Sequence, residues 1–64
     1  MNDETMLTLL AKTITELGYD EIKANRWAGL IGDTPDIEGD SLIVRDYRGE
    51  LLAKLPLSAF PQFA

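Results

Sequence analysis

The sequence predicts an α+β fold in which one N-terminal helix packs on a small antiparallel sheet of about three strands. Three features indicate it: an apolar pattern with helical spacing near the N-terminus, a stretch with strand alternation after it, and two β-rich stretches joined by a short turn. One face of a helix and one face of a sheet must bury each other. The order helix, strand, loop, hairpin therefore favours two layers around one core.

The N-terminal helix is predicted at residues 4 to 17. Apolar residues recur there at steps of three and four, which is the spacing of one helical face. Gly18 follows, and glycine commonly ends a helix in the left-handed conformation. The apolar positions are Met6, Leu7, Leu9, Leu10, Ile14 and Leu17. They cover more than a narrow stripe, so the surplus indicates self-association or a partner's groove, although a wide core-facing stripe is also normal.

A first strand is predicted at residues 21 to 27, where Ile22, Lys23 and Ala24 alternate between apolar and polar. These residues also allow the helix to continue after a kink, because Ala24, Arg26 and Trp27 do not forbid it. Residues 28 to 40 contain three glycines, a proline and four acids. They predict a turn-rich loop, with a short bridge at residues 30–31 as an option.

The hairpin is the strongest β signal in the chain. Ser41 to Asp46 and Leu51 to Leu55 are both rich in strand-forming residues, and Tyr47-Arg48-Gly49-Glu50 connects them. The tail from Pro56 onward cannot continue a central strand past its prolines, yet it is too apolar to stay in water. We expect it to fold back over the core or to reach a partner.

Length and composition restrict the function classes. The 64 residues fit one domain, residues 1 to 64, and a domain of this size gains little net stability from burial, so a partner subunit or a homodimer is left open. The chain has no cysteine and no histidine. Disulfides, zinc sites built on these residues and imidazole-based catalysis are therefore excluded. Ser41 and Ser58 have no activating base nearby in sequence, and no nucleotide motif is present, so neither enzymatic activity nor a cofactor is predicted.

The charge of the chain argues against two kinds of partner. The formal net charge is −5, which makes direct binding to nucleic acid or to an anionic membrane unfavourable. The first four residues carry acids where a secretory signal would carry bases. A cytoplasmic location and another protein as the partner are the expectation.

Four acids lie close together in sequence, at Asp33, Asp36, Glu38 and Asp40. Such a cluster could bind a hard cation through oxygen ligands, but the order of the acids does not match a calcium loop, so no metal site is predicted. A solvated acidic surface is the preferred interpretation. Mutual repulsion among these acids would be offset by water or by a basic partner.

Residues 17 to 24, Leu17-Gly18-Tyr19-Asp20-Glu21-Ile22-Lys23-Ala24, lead through a glycine-containing loop to Pro35-Asp36-Ile37. This arrangement resembles the opening of restriction-endonuclease-like domains of the PD-(D/E)xK type. The resemblance implies that Asp36 would be the first magnesium ligand. The acid-x-lysine pair of that family is not matched, because three residues separate Glu50 from Lys54. The alternative function is therefore a metal-dependent nuclease-like or hydrolytic fragment that uses Asp36 with Glu38, Asp40 or Glu50.

Two residue pairs are further candidates for partner binding. Arg26 and Trp27 are of the types that dominate binding energy at interfaces, although a lone tryptophan in so small a protein is also the natural centre of its core. Tyr47 and Arg48 lie at the hairpin tip and are predicted to project away from the core. The sequence thus predicts a non-enzymatic interaction module, an inhibitor or accessory protein that acts through an acidic surface. One specific form would be a DNA mimic that presents carboxylates to a basic site.

Overall fold

The protein consists of two helices followed by a three-stranded antiparallel sheet, which confirms the α+β class. The computed structural model describes the backbone of residues 3–63 and the side chains of residues 5–63. The elements are α1 at Asp3–Glu16, α2 at Glu21–Asp33, β1 at Asp36–Glu38, β2 at Ser41–Arg45, β3 at Leu51–Pro56, and two 3-10 helices at Leu57–Ala59 and Pro61–Phe63.

The first helix agrees with the sequence and the second does not. α1 ends at Glu16, close to the predicted boundary, and Gly18 takes a φ of 108° in the turn that follows. The Asp20 carboxylate then accepts a hydrogen bond of 2.8 Å from the backbone N–H of Lys23, which caps the start of α2. Neither helix of residues 3–63 is long and apolar enough to cross a membrane.

The predicted strand at residues 21 to 27 is wrong, and so is the optional bridge at residues 30–31, because α2 runs through both segments. The buried residues of α2 recur at steps of three, one and three: Ala24, Trp27, Ala28 and Ile31. That spacing belongs to one face of a helix. The alternative of renewed helix after α1 is closer to the structure, with residues 17–20 as a separating turn. The predicted loop at residues 28 to 40 is reduced to short connections on either side of β1.

The predicted hairpin is confirmed. β2 lies between β1 and β3, and both pairings are antiparallel. Leu42 pairs with Leu55 and Val44 with Ala53, which places these side chains on the same face of the sheet. A register shift follows between Val44 and Arg45, at the start of the turn. β2 therefore presents Leu42 and Val44 to the core, whereas Ile43 lies on the other face.

The core joins both helices, the sheet and the tail. It contains Leu10, Ile14, Ala24, Trp27, Ala28, Ile31, Leu42, Val44, Leu55 and Phe60. The tail thus folds back over the core, which is one of its two predicted placements. Of the apolar positions predicted in the first helix, Leu10 and Ile14 are fully buried, but Leu17 is 38% exposed. α1 packs mainly against α2, and α2 is the helix that lies along β2. The prediction that the N-terminal helix packs directly on the sheet is therefore wrong in its main contact.

Two glycines give a matched pair of stability predictions. Gly29 lies inside α2, and a Cβ placed there would meet no atom within 4 Å. Gly29→Ala is expected to raise the free energy of unfolding by about 0.5–1 kcal/mol, because alanine loses less backbone entropy in a helix. Gly49 has equally open surroundings but a φ of 84°. Gly49→Ala is expected to lower the free energy of unfolding by about 1–2 kcal/mol, because a side chain strains that conformation.

Urea denaturation followed by far-UV circular dichroism measures both glycine substitutions. The two variants serve as controls for each other, since each adds one methyl group to open space. Shifts of the same sign in the two denaturation midpoints would contradict the prediction.

Candidate functional site

A groove of about 950 Å³ lies between the C-terminal half of α2 and the turn that joins β2 to β3. The part of the α2 wall that is not buried is formed by Arg26, Gly29, Leu30 and Asp33, and the buried Ile31 also lines the groove. The first four positions follow one another at steps of three, one and three, so they share a helix face that differs from the buried one. The capped start of α2 and its buried face fix this wall relative to the core.

The opposite wall of the groove is built by the turn of the hairpin. The Asp46 carboxylate accepts hydrogen bonds from the backbone N–H groups of Arg48, at 2.8 Å, and of Glu50, at 3.0 Å. The N–H of Gly49 donates to the Asp46 carbonyl at 3.0 Å. These bonds hold the turn in one shape and leave the Tyr47 side chain 97% exposed at the wall of the groove. Leu52 extends the same wall and is also exposed.

Arg45 connects the edge strand β1 to the hairpin turn. Its Nε atom donates to Oδ2 of Asp36 at 3.1 Å, and its Nη2 atom lies 3.7 Å from Oε2 of Glu38. Its Nη1 atom donates to the Gly49 carbonyl at 3.0 Å. Asp36 and Glu38 are two residues apart on a strand, so both point to the same face and reach one guanidinium. The guanidinium therefore offsets part of the repulsion between these two acids.

The groove brings together four of the residues predicted to bind a partner. Arg26 and Asp33 lie on the α2 wall, Asp36 lies at the start of β1, and Tyr47 lies on the turn. These residues are separated by up to 21 positions in the sequence, and it is the antiparallel sheet beside α2 that places them around one space. The lining of the groove is mostly apolar and also includes charged side chains.

The other four predicted residues lie elsewhere. Trp27 is only 7% exposed and packs edge-to-face on Tyr19, with 4.7 Å between the ring centroids, as expected of a core residue. Glu38 and Arg48 are exposed but do not line the groove. Asp40 lies at the other end of β2, where its carbonyl accepts a hydrogen bond of 2.9 Å from the N–H of Leu57.

Three positions of the candidate site were missed from the sequence: Arg45, Asp46 and Gly29. Arg45 was overlooked because residues 36 to 38 were assigned to a loop. The alternation of Asp36, Ile37 and Glu38 was the available signal, since it predicts a short strand with both acids on one face. Asp46 at the start of a glycine-containing turn was a second signal, because aspartate often bonds to backbone N–H groups two residues ahead.

The magnesium site implied by the nuclease resemblance has no ligand cluster in the described structure. Among the side chains of residues 5–63, no group of three or more Asp, Glu, His or Cys residues could hold a metal ion. The carboxylate of Asp36, the implied first ligand, is bonded to Arg45. What the groove offers chemically is a mostly apolar lining that includes charged side chains, which suits the binding of a side chain or segment of another molecule.

Removal of the Arg45 side-chain charge is expected to loosen the link between β1 and the turn. Arg45→Met should lower the free energy of unfolding by about 1 kcal/mol at low salt, because exposed ion pairs contribute only about 0.2–1 kcal/mol each. The loss should shrink as salt rises, since salt screens exposed pairs. Urea denaturation at two ionic strengths measures it. Arg48→Met removes the same charge from the turn itself and serves as the control.

The same stability loss at both ionic strengths would contradict an electrostatic role for Arg45, and equal losses in both variants would contradict the role of its specific contacts. Comparison with protein-family models, with curated proteins and with solved structures gave no match for this chain.

Proposed function

We propose that the protein is a non-enzymatic interaction module of the cytoplasm that binds a protein chain in the groove between α2 and the hairpin turn, as an inhibitor or accessory protein. The observation that carries this proposal is Tyr47, a 97% exposed aromatic side chain held on a hydrogen-bonded turn at the groove wall. Aromatic residues on rigid supports supply much of the binding energy at protein interfaces. Leu30 and Leu52 add apolar area on the two walls of the groove.

The charges around the groove favour a partner of mixed charge. Asp36 and Glu38 already face Arg45, and Asp46 is bonded to backbone N–H groups of the turn. Asp33 and Arg26 also line the groove and form no ion pair with the described side chains. The net charge of −5 speeds the approach of a partner with a basic surface and slows that of a partner with the same sign of charge. Because two of the four predicted acids are offset within the chain, the groove supports DNA mimicry less than it supports an apolar, mixed-charge contact.

Quantitative affinity capture from the cells that produce the chain tests the proposal. Three tagged forms are compared: the wild type, the groove variant Tyr47→Ala/Leu52→Ser, and the control Leu9→Ser. Leu9 and Leu52 are 42% and 41% exposed, so the control matches the Leu52→Ser part of the groove variant at a position outside the groove. An untagged copy of the chain is included so that self-capture is measured beside capture of other proteins.

Circular dichroism first establishes that both variants are folded. A protein chain that is retained by the wild type and the control but lost with the groove variant would support the proposal. Retention of the same chains at the same levels by all three forms would contradict it.

A further inference from the structure

The outward face of α2 carries a charge pattern that is complementary to itself. Ile22, Arg26, Gly29 and Asp33 follow at steps of four, three and four, and they lie opposite the buried residues of the helix. We call these four residues the outer face of α2. Arg26 and Asp33 carry opposite charges, and neither forms an ion pair with the side chains of residues 5–63. The carboxylate of Asp33 accepts a long hydrogen bond, of 3.5 Å, from the hydroxyl group of Thr34.

If the outer faces of two copies pair in antiparallel orientation, two Arg26–Asp33 ion pairs can form between the copies. Arg26 and Asp33 are seven residues apart, which is about 10 Å along a helix axis. If a second α2 lies antiparallel with a two-fold axis between residues 29 and 30, Arg26 of each copy faces Asp33 of the other. An interface of this kind is closed by symmetry, because the same patch is used on both copies.

The centre of the outer face also suits close packing. Gly29 lies at the centre, and the absence of a side chain there allows two helix backbones to approach closely. Ile22 is 76% exposed one turn before Arg26, but in this pairing it lies past the end of the partner's α2 and takes no part in the helix contact. Tyr47 and Leu30 flank the same space from the groove.

We propose that the chain bound in the groove is a second copy of this protein, held antiparallel along the outer face of α2. This inference rests on the proposed binding function of the groove and names its occupant. A homodimer would also give a domain of this small size the additional burial that its own core lacks.

Charge reversal in purified protein tests the dimer. Sedimentation velocity over a concentration series should show the wild type moving from the monomer mass of 7.1 kDa to twice that mass. Arg26→Glu and Asp33→Lys should each weaken self-association roughly tenfold or more, because each turns two attractive pairs into two repulsive ones. Lys12→Glu and Glu16→Lys on α1 change the net charge by the same amounts and should leave the dimer intact.

Mixing the two outer-face variants is the decisive step. In a mixed dimer the new glutamate of one copy faces the new lysine of the other, and the unchanged Asp33 of the first faces the unchanged Arg26 of the second. The mixture should therefore recover most of the wild-type dimer, which misfolded variants could not do. A mixture that stays monomeric, or equal weakening by the α1 controls, would overturn the proposal.

The outcome separates this inference from the proposed function. A wild type that remains monomeric at its highest attainable concentration overturns self-association. If affinity capture still finds a different protein that depends on the groove, the interaction function stands with another occupant. If capture also fails to depend on the groove, both proposals are wrong.

Discussion

Phe60→Ala is expected to leave most of the protein unfolded at room temperature. Phe60 is completely buried in the core although it lies in the tail, beyond the last strand. Truncation of a buried phenylalanine costs about 3–5 kcal/mol. A domain of this size has only about 3–5 kcal/mol of net stability from its core. The loss is therefore as large as the whole stability that holds the fold.

Far-UV circular dichroism and Trp27 fluorescence during urea titration measure this loss. Phe63→Ala is the matched control, because Phe63 is only partly buried and its ring centroid lies 6.4 Å from that of Phe60. The control should retain a cooperative transition at a moderately lower urea concentration. A Phe60→Ala variant that unfolds at the midpoint of the parent would show that the tail contributes nothing to the core.

The second large effect is expected for Leu10→Ala in α1. Leu10 is fully buried where α1 packs on α2, and one of its methyl groups lies 3.6 Å from the position that a Cβ at Gly32 would take. The substitution should lower the free energy of unfolding by about 2–5 kcal/mol, through lost burial and the cavity left behind. Because α1 packs mainly on α2 and shares one core with the sheet, the helices and the sheet should lose structure together.

Leu9→Ala is the control for this prediction, since it makes the same change one residue away. Leu9 is 42% exposed, so its truncation should cost about 1 kcal/mol or less. Thermal melts of the two variants at equal concentration provide the comparison. Equal shifts of Tm would mean that the face of α1 assigned to the core is wrong.

The sequence predicted those elements whose periodicity is carried by large apolar residues. α1 and the hairpin were found because leucine, isoleucine and valine mark their buried faces. α2 was missed because two of its four buried residues are alanines, and because Gly29 and Gly32 lower the helix propensity of its second half. The capping acid at Asp20 and the spacing of Ala24, Trp27, Ala28 and Ile31 were present but weak signals.

The candidate site could be predicted only in part for a related reason. Tyr47 and Arg26 were found from residue type and expected exposure, which need only local information. The partners of Arg45 depend on the register between β1 and β2, which pairs Asp36 with Ile43 and Glu38 with Ser41. No local pattern specifies that register when β1 has only three residues. The outer face of α2 could not be recognised while residues 21 to 27 were assigned to a strand.

The two edge strands of the sheet, β1 and β3, oppose the addition of further strands from other molecules. An edge strand exposes unpaired backbone N–H and C=O groups that invite another strand, and short length, charge and proline are the usual protection. β1 is three residues long and ends in acids, while β3 contains Lys54 and finishes at Pro56. Lateral growth into larger β assemblies is thereby opposed on both sides. Association with another molecule is therefore expected at surfaces where side-chain contacts, and not unpaired backbone groups, determine the specificity.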